Sequence, residues 1–275
     1  MRRYDVDSLD NRDPDRFRRL VDRLEPFLWW YFRPVVLGLE RIPRGAALYV
    51  GNHSGGVVSP DTYVLGVAIY RRHGLADTPY GLAHGVGLGL PFVHQLLVPI
   101  GAVRACHENA HRIFDAGGKV LVYPGGDIDN MRAYRKRDEI VFGARRGYVR
   151  LALRSGVPIV PIVTAGSHAT MFVLDEGRWL AKLLRTSHLF RTEVWPVNLG
   201  LPWGLSVGPI PQFPLPSRMF LEVLEPIRFD RAGAEAAADA AYVERCHERV
   251  LSTMQTALTA LARRRREAGG LLSSW

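Results

Sequence analysis

Cysteine is scarce in this chain of 275 residues, in which only Cys106 and Cys246 occur, far apart in the sequence. Two distant cysteines exclude a disulfide framework and a paired-cysteine metal site. Their scarcity is compatible with a reducing cytoplasm. A disordered chain is also excluded, because 47% of the residues are apolar and 23% are charged, which is the composition of a folded domain.

Formal charge is missing from two long segments, residues 78–103 and residues 194–217. Each segment is long enough to cross a bilayer as a helix. The first contains three prolines and several glycines, and the second contains six prolines, so neither can form a continuous helix. Irregular backbone is not viable in the bilayer core. We therefore predict no transmembrane helix, and expect packed core or a surface that reaches the headgroups of a membrane.

Acidic residues are outnumbered by basic ones, which gives a net charge of +9 and a pI near 9.9. A surplus of this size favours anionic partners such as nucleic acid, acidic lipids or phosphate-bearing cofactors. No zinc-finger spacing or aromatic RNA-binding strand is present, so nucleic acid is not expected. The N-terminus is too charged for a signal peptide,.

The first 38 residues contain a predicted basic amphipathic helix. Asp13 and Pro14 have the pattern of an N-cap followed by a helix start. Apolar side chains then recur at helical spacing between arginines, and the aromatic run FLWWYF follows at residues 27–32. This composition favours an interfacial anchor over a helix that only covers the protein's own core. We predict a membrane-associating region at residues 1–38 and an α/β domain at residues 39–275.

Strands and helices alternate through the rest of the chain. Apolar runs bounded by glycine and proline predict buried strands, at residues 47–50, 119–124, 158–164 and 219–224. Helical patterns occupy residues 62–73, 107–117 and 143–155, and a long C-terminal helix ends in four arginines. The predicted fold is α/β, with a largely parallel central sheet flanked by helices.

Two short motifs match catalytic patterns without their structural context. Residues 107–111 fit the zinc-binding pattern H-E-x-x-H, but no third ligand follows, so a solvated helix face is the better interpretation. Residues 204–208 fit the nucleophile pattern G-x-S-x-G, which needs a helix after the serine. Pro211 and Pro214 prevent such a helix,, and we expect a turn in a packed or lipid-facing loop.

A third motif, GNHSGGVVSPD at residues 51–61, directly follows a predicted buried strand. Sites in open α/β sheets lie beyond the carboxyl ends of the strands, and glycines let a substrate approach the backbone closely. His53, with Asp61 eight residues on, has the makings of a base held by a carboxylate. A structural histidine in a tight turn is the alternative.

Four blocks in order give the chain a family resemblance. They are Asn52-His53 with Asp61, IGAVRACHENAHRIF at 100–114, VYPGGDIDNMR at 122–132, and Val157 to Pro161. With these blocks, residues 30–230 resemble the glycerolipid (lysophospholipid) acyltransferase superfamily, which includes 1-acylglycerol-3-phosphate acyltransferases. The resemblance is strongest to its diacylglycerol-acyltransferase-like branch.

The chain departs from the family pattern at three points. Seven residues separate His53 from Asp61, where the family has four. Gly125 replaces the usual glutamate of the third block, which is typical of the diacylglycerol-acyltransferase-like branch. The arginine that often binds acceptor phosphate is missing, because position 107 is histidine, although Arg104 and Arg112 lie nearby.

The resemblance implies a catalytic dyad, a set of substrate-binding residues and a mechanism. His53 acts as the general base, Asp61 orients it, and no acyl-enzyme forms. Backbone N–H groups of Gly125 and Gly126 stabilise the oxyanion, and Arg132 and Arg135 bind phosphate. The implied substrate-binding residues are Asn52, Ser54, Gly55, Gly56, Arg104, Tyr123, Pro124, Gly125, Gly126, Asp129 and Arg132.

The implied partners are an acyl thioester donor, either acyl-CoA or acyl carrier protein, and a lysophospholipid or related glycerolipid acceptor. No other cofactor and no metal is implied. The uncharged segments would then line the acyl chain or touch the membrane, and the protein would bind peripherally at its cytoplasmic face. A serine esterase using Ser206 or Ser54, an acyltransferase acting on mono- or diacylglycerol, and a non-catalytic lipid-binding protein remain as alternatives.

Overall fold

The predicted buried strands form the centre of a large sheet. The protein is described by a computed structural model covering residues 3–83, 85–186 and 192–269. Seven strands of the described residues form it: β1 (Val35–Leu37), β2 (Ala47–Gly51), β3 (Tyr80–Ala83), β4 (Ala102–Arg104), β5 (Lys119–Val122), β6 (Ile159–Ala165) and β10 (Phe220–Val223). Across the sheet they lie in the order β1-β10-β6-β2-β5-β3-β4. All neighbours pair in parallel except β10 and β6, so the predicted, largely parallel sheet is confirmed.

Helices cover both faces of this sheet. They are α1 (Pro14–Phe32), α2 (Pro60–His73), α3 (Gly85–Leu88), α4 (Pro91–Leu97), α5 (His107–Asp115), α6 (Gly126–Asn130), α7 (Gly147–Ser155), α8 (Arg178–Leu183), α9 (Ala234–Ala238) and α10 (Ala240–Glu267). The predicted helix at 143–155 starts four residues late, because Gly143 has the left-handed backbone of a turn, with φ 59°,.

Alternate residues of the central strands divide the core into two layers. In β2, Leu48 and Val50 face the cluster that includes α5, α7 and α10, whereas Ala47 and Tyr49 face the cluster that includes α1 and α2. This period of two is the geometry of a strand buried on both faces. Because β2 and β5 pair in parallel, their carboxyl ends lie side by side, and both strands lead into loops that carry predicted site residues.

Helix α1 belongs to the core as well as to the surface. Asp13 caps it by accepting from the N–H groups of the next turn,. Four of its apolar side chains are buried, while Phe27 and Trp30 remain 42% and 72% exposed. Strand β1 pairs with β10, so the predicted N-terminal region includes part of the central sheet, and the predicted boundary at residue 38 follows that strand. Its membrane contact stays a prediction.

The two uncharged segments fold differently from one another. Residues 78–103 contain β3, α3, α4 and β4. Within residues 194–217, strands β8 (Val197–Gly200) and β9 (Gly204–Val207) form a second sheet with β7 (Phe172–Asp175). The expected turn at residues 204–208 is therefore wrong, since antiparallel pairing with β8 satisfies that backbone,. In the described part of the chain, no helix is long and apolar enough to cross a membrane.

Candidate active site

His53 lies in the loop between β2 and α2, at the carboxyl end of β2, and its backbone is held on both sides. Its N–H donates to Asp129 Oδ2 over 2.5 Å. Its carbonyl oxygen accepts from Arg132 Nη1 over 2.8 Å. Both partners belong to the third sequence block, which follows β5. The loop carrying the histidine is therefore positioned by the neighbouring strand's loop.

Asp129 and Arg132 form a buried ion pair, with Asp129 Oδ1 3.0 Å from Arg132 Nη1 and side chains 0% and 1% exposed. Asp129 Oδ1 also accepts from the N–H of Val141 over 2.9 Å. The remaining Arg132 nitrogens donate to the carbonyls of Lys136 and Arg137. Burial raises the pKa of Asp129, and the charge of Arg132 acts against that rise. The pair is thus fully occupied in supporting the fold.

The predicted substrate contacts of Arg132 and Asp129 are not supported in this conformation, and they stay predictions. Each of the three guanidinium nitrogens of Arg132 already donates within the protein, and the side chain is 1% exposed, so a phosphate has little access to it. Of the arginines implied for phosphate, Arg135 is exposed, and its contact with substrate stays a prediction.

Two asparagines hold neighbouring backbone in the same way. Asn130 accepts from the N–H of Gly56 over 2.9 Å and donates to its carbonyl over 3.0 Å. Asn52 makes the matching pair of bonds with Thr164 of β6, over 2.8 Å and 3.0 Å. The predicted substrate contact of Asn52 is not supported in this conformation, because its amide bonds Thr164, and it stays a prediction. Asn130 was not predicted, and its only sequence signal is its place beside Asp129.

Each of the two loops requires glycine at one position, where neighbouring atoms leave no room for a side chain. A Cβ on Gly55, which has φ 85°, would lie 2.8 Å from Pro60 and 2.9 Å from Ser167. A Cβ on Gly125 would lie 2.2 Å from the Cβ of Asp129. The family's glutamate consequently does not fit at position 125 in this backbone, where Asp129 occupies the space.

In the turn after β5, one of the two backbone N–H groups predicted to bind the oxyanion already donates a hydrogen bond within the protein. The N–H of Gly126 donates to the carbonyl of Tyr123 over 3.0 Å, so its predicted oxyanion contact is not made available by this conformation and stays a prediction. The role of Gly125 stays a prediction. Arg145, which was not predicted, donates to the carbonyl of Gly125 and to Asp127, both over 2.6 Å. Arg145 carries no local motif, and only the fold brings it here.

The His53 imidazole stacks on the Tyr123 ring, with centroids 4.4 Å apart and planes at 15°. Tyr123 in turn shares a 2.7 Å hydrogen bond with Thr62 of α2. Burial, and secondarily the charge of Arg132, lowers the pKa of His53 to about 4. The ring is therefore neutral near pH 7 and able to accept a proton. Its buried Nδ1 has no hydrogen-bond partner among the described residues.

Asp61 lies buried in the first turn of α2, where burial raises its pKa to about 7. Its Oδ1 accepts from the N–H of Thr62 over 3.0 Å, and its Oδ2 accepts from Ser54 Oγ over 3.4 Å. No hydrogen bond to His53 is made in this conformation, so the dyad stays a prediction. Ser54 is 1% exposed and its hydroxyl faces Asp61, which disfavours it as a nucleophile.

Three other predicted or rival residues lie in different surroundings. Arg104 ends β4 and pairs with Asp7 over 2.6 Å, and it does not line the cavity at His53, so its predicted substrate contact is not supported. His111 lies 3.0 Å from Ser155 Oγ. Ser206 lies within strand β9, where Gln212 donates to it over 2.8 Å, and no helix follows it. A nucleophile elbow is therefore not formed.

An apolar cavity of about 420 Å³ extends from His53 and Tyr123. Helix α1 forms one wall, α2 another, and β3 with the segment around Ile100 closes the far side. Nearly all lining side chains are aliphatic or aromatic. Pockets of this size and composition suit an apolar ligand. The histidine is one of the few polar groups on its surface.

The ion pair should matter more to stability than to substrate affinity. We expect Arg132→Met to lower the free energy of unfolding by about 3–5 kcal/mol, because it leaves Asp129 buried without its partner. Arg135→Met is the matched control, since an exposed change usually costs less than about 0.5 kcal/mol. Urea unfolding measures both. Equal stability of the two variants would contradict the assignment of Arg132 as a structural residue.

Comparison with known proteins identifies the family of this chain. Residues 33–165 match the family model described as Acyltransferase. An uncharacterized protein of Mycobacterium tuberculosis is 31% identical over 265 residues, covering 96% of this chain and 71% of that protein. A mouse protein named DGAT1/2-independent enzyme synthesizing storage lipids is 29% identical, over 65% of this chain and 53% of its own.

The fold also has a solved counterpart. The crystal structure of the 1-acyl-sn-glycerophosphate (LPA) acyltransferase PlsC from Thermotoga maritima matches with a TM-score of 0.53 and 17% identity. The match covers 91% of this chain and 83% of that one. At this identity the likeness concerns the fold, and the sequence matches supply the family. The chain therefore belongs to the acyltransferase family, within the glycerolipid acyltransferase superfamily whose sequence blocks it carries.

Proposed function

We propose that this acyltransferase moves a fatty acyl group from acyl-CoA or acyl carrier protein to the hydroxyl of a lysophospholipid or related glycerolipid. The observation that carries the proposal is a neutral imidazole in the wall of an apolar cavity of about 420 Å³. A base beside an apolar channel suits a reaction in which one reactant carries a long hydrocarbon chain.

The cavity is the proposed binding site for the acyl chain. With the chain between α1 and α2, the thioester carbonyl lies near His53. Removing apolar surface from water stabilises such a complex by about 0.8 kcal/mol per buried methylene. The cavity wall supplies aliphatic contacts along its length.

The proposed reaction needs one proton transfer and no covalent enzyme intermediate. The acceptor hydroxyl oxygen attacks the thioester carbon while His53 takes the hydroxyl proton. The carbon–sulfur bond then breaks, and the imidazolium returns the proton to the thiolate. A thiol with a pKa of about 8.5 is a good leaving group. The N–H of Gly125 is the remaining proposed donor to the oxyanion.

Asp61 is proposed to act when the imidazolium forms. A buried positive ring is costly without a compensating charge. Asp61 is close to Ser54 and Thr62, which flank the histidine and its stacking partner Tyr123. A rotation of the His53 ring or of the Asp61 side chain on substrate binding would complete the dyad, since catalytic hydrogen bonds often tighten only in the complex.

The acceptor is proposed to carry a phosphate, and uncharged glycerolipid is the second candidate. With Arg132 occupied, the support comes from exposed Arg135 and from the net charge of +9. Mono- or diacylglycerol is favoured instead by the Tyr-Pro-Gly-Gly block, and the mouse relative is named for the synthesis of storage lipids. A serine esterase is disfavoured, because Ser54 and Ser206 are both buried and hydrogen-bonded.

Peripheral attachment to the cytoplasmic face of a membrane completes the proposal. Exposed arginines of α1 lie on the same helix as exposed Phe27 and Trp30. Each basic residue near an anionic surface contributes about 1 kcal/mol of attraction.

The base is tested by His53→Ala with labelled acyl-CoA and either lysophosphatidate or monoacylglycerol. We expect turnover to fall by about 100- to 10,000-fold, the usual contribution of general acid–base catalysis. Circular dichroism and thermal unfolding should show an intact fold. His73→Ala, which changes a histidine outside the cavity, is the control. Full turnover in folded His53→Ala would refute the assignment, and faster transfer to monoacylglycerol would refute the phosphate-bearing acceptor.

The pH profile tests Asp61. If the Asp61 carboxylate must be ionised, kcat/KM should decline as the pH falls below about 7, which is the raised pKa of Asp61. If only neutral His53 were required, the decline would come near pH 4, the lowered pKa of His53. The sign follows because protonation removes the charge that stabilises the imidazolium. Asp61→Asn should lower the plateau and abolish the limb near 7. A wild-type profile that is flat down to pH 5 would show that ionised Asp61 is not required.

Gly66 tests the acyl site. It faces the cavity from α2, and an added Cβ would meet no atom within 4 Å. We expect Gly66→Leu to shift preference toward shorter acyl chains, because the new side chain displaces methylenes worth about 0.8 kcal/mol each. Gly66→Ala is the graded control, which also stabilises a helix by about 0.5–1 kcal/mol. An unchanged ratio of long-chain to short-chain kcat/KM in Gly66→Leu would contradict this placement.

A further inference from the structure

In the second sheet, the hairpin of β8 and β9 has polar side chains inside and apolar side chains outside, beside the buried Val173 of β7. Leu199 of β8 faces Leu205 of β9, and these outer side chains are 47% and 67% exposed. The inner pair, Asn198 and Ser206, is 0% and 8% exposed. A one-sided sheet in water normally turns its apolar face toward the core. The inverted pattern indicates an apolar environment outside this sheet.

Specific hydrogen bonds fix the inverted orientation. The Asn198 side chain donates to the carbonyl of Gly208 over 2.9 Å, and Gln212 donates to Ser206 Oγ over 2.8 Å. Beneath the hairpin, Gly200 leaves room for Gln212, whose Oε1 would lie 2.0 Å from an added Cβ. Rotating the strands to bury their leucines would break these hydrogen bonds. The hydrogen bonds therefore keep the apolar side chains on the outer face.

The outer face continues onto helix α1. Leu201 forms a β-bridge with Phe213, and the Phe213 ring lies 6.0 Å from the Tyr31 ring. The Tyr31 hydroxyl donates to the carbonyl of Pro214 over 2.8 Å. The hairpin surface is defined here by its exposed members: Leu199, Leu201, Trp203, Leu205, Val207 and Phe213.

Exposed apolar side chains are distributed unevenly over the molecule. In the described residues, the large ones lie at 27–30, 57, 90–96, 174–184 and 199–213. The long helix α10 and helices α5 and α7, which cover the opposite face of the central sheet, contain none. Apolar patches confined in this way mark an interaction surface.

Lipid fits this surface better than a protein partner. No formal charge occurs from residue 194 to residue 217, so nothing in the hairpin loses hydration of a charge on insertion. Trp203 has the amphipathic ring that favours a membrane interface. The adjoining helix α1 exposes Arg16, Arg19 and Arg23, which complement anionic headgroups.

We propose that the hairpin surface is a second membrane-contact site, which inserts Trp203 and Leu205 into the boundary between headgroups and acyl chains. It acts beside α1 and independently of the arginines, through apolar burial. This membrane-contact site deepens the proposed function. It rests on that function in one respect, namely that both substrates carry hydrocarbon chains.

Insertion is measured with an environment-sensitive NBD label in a Cys106→Ser background. The label is attached to Leu205→Cys, or to Ser252→Cys on the exposed face of α10 as the matched control. With phosphatidylcholine vesicles, we expect a blue shift and a rise in intensity at position 205 and neither at position 252. The shift should persist in 1 M salt, where the Debye length is about 3 Å and charge attraction is screened. No shift at position 205 would overturn the proposal.

Affinity is measured by vesicle sedimentation of Trp203→Gln/Leu205→Gln. We expect partitioning to weaken by about tenfold or more in neutral vesicles, which corresponds to about 1.4 kcal/mol. Arg19→Gln/Arg23→Gln is the control, and should weaken binding to anionic vesicles only. Unchanged partitioning of the hairpin variant, with an unchanged melting temperature, would overturn the proposal. So would a wild-type dimer in solution that this variant dissociates, because a second copy would then be the occupant.

The vesicle experiments do not depend on turnover, so they separate the two proposals. They are repeated with His53→Ala, which should bind vesicles as the wild type does. In detergent micelles, the hairpin variant should retain the acyl-transfer rate of the wild type. Transfer without insertion would refute the hairpin proposal alone, and insertion without transfer would refute the proposed function alone.

Discussion

The buried pair of Asp129 and Arg132 is the interaction on which the site depends. It joins the loop after β5 to the loop after β2, and it fixes His53 by the N–H and the carbonyl of that one residue. Such a pair is costly to bury and is a weak source of net stability. Its value here is geometric, because removal of either partner leaves a buried charge and releases the histidine loop. Asn130 extends the same contact to Gly56.

The central fold was predictable because its signals are local. Continuous apolar runs at 47–50 and 158–164 have no polar face, which indicates strands covered on both sides, and helical periodicity separates them. The second sheet was missed for a physical reason. Its strands are short, and two of them, β8 and β9, lie among prolines and alternate with their apolar side outward. For β8 and β9, the polarity of the side chains alone therefore gives the wrong buried face.

The site was predictable in its motifs and less so in its contacts. The sequence located His53 and its glycine turn and identified the third block as their neighbour. It assigned Arg132 to phosphate, because a motif records that a charge is present and not where its N–H groups point. Burial decides that question, and burial of Arg132 depends on carbonyls from residues 136 and 137. The contact of Arg145 with Gly125 could not be predicted, because the two residues lie 20 positions apart and meet only in the folded chain.

Helix α1 connects the apolar parts of the molecule. Leu20 and Leu24 line the cavity at His53, and they also line a neighbouring groove of about 280 Å³ that reaches Phe27 and Phe213. Phe213 belongs to the hairpin surface. Each methylene exposed to water costs about 0.8 kcal/mol, so a long chain that left a bilayer through solvent would face a large barrier. A continuous apolar wall from the hairpin surface to the cavity lowers that barrier, because the chain exchanges one apolar contact for another. In the proposed function, helix α1 would therefore give both substrates an apolar path to His53.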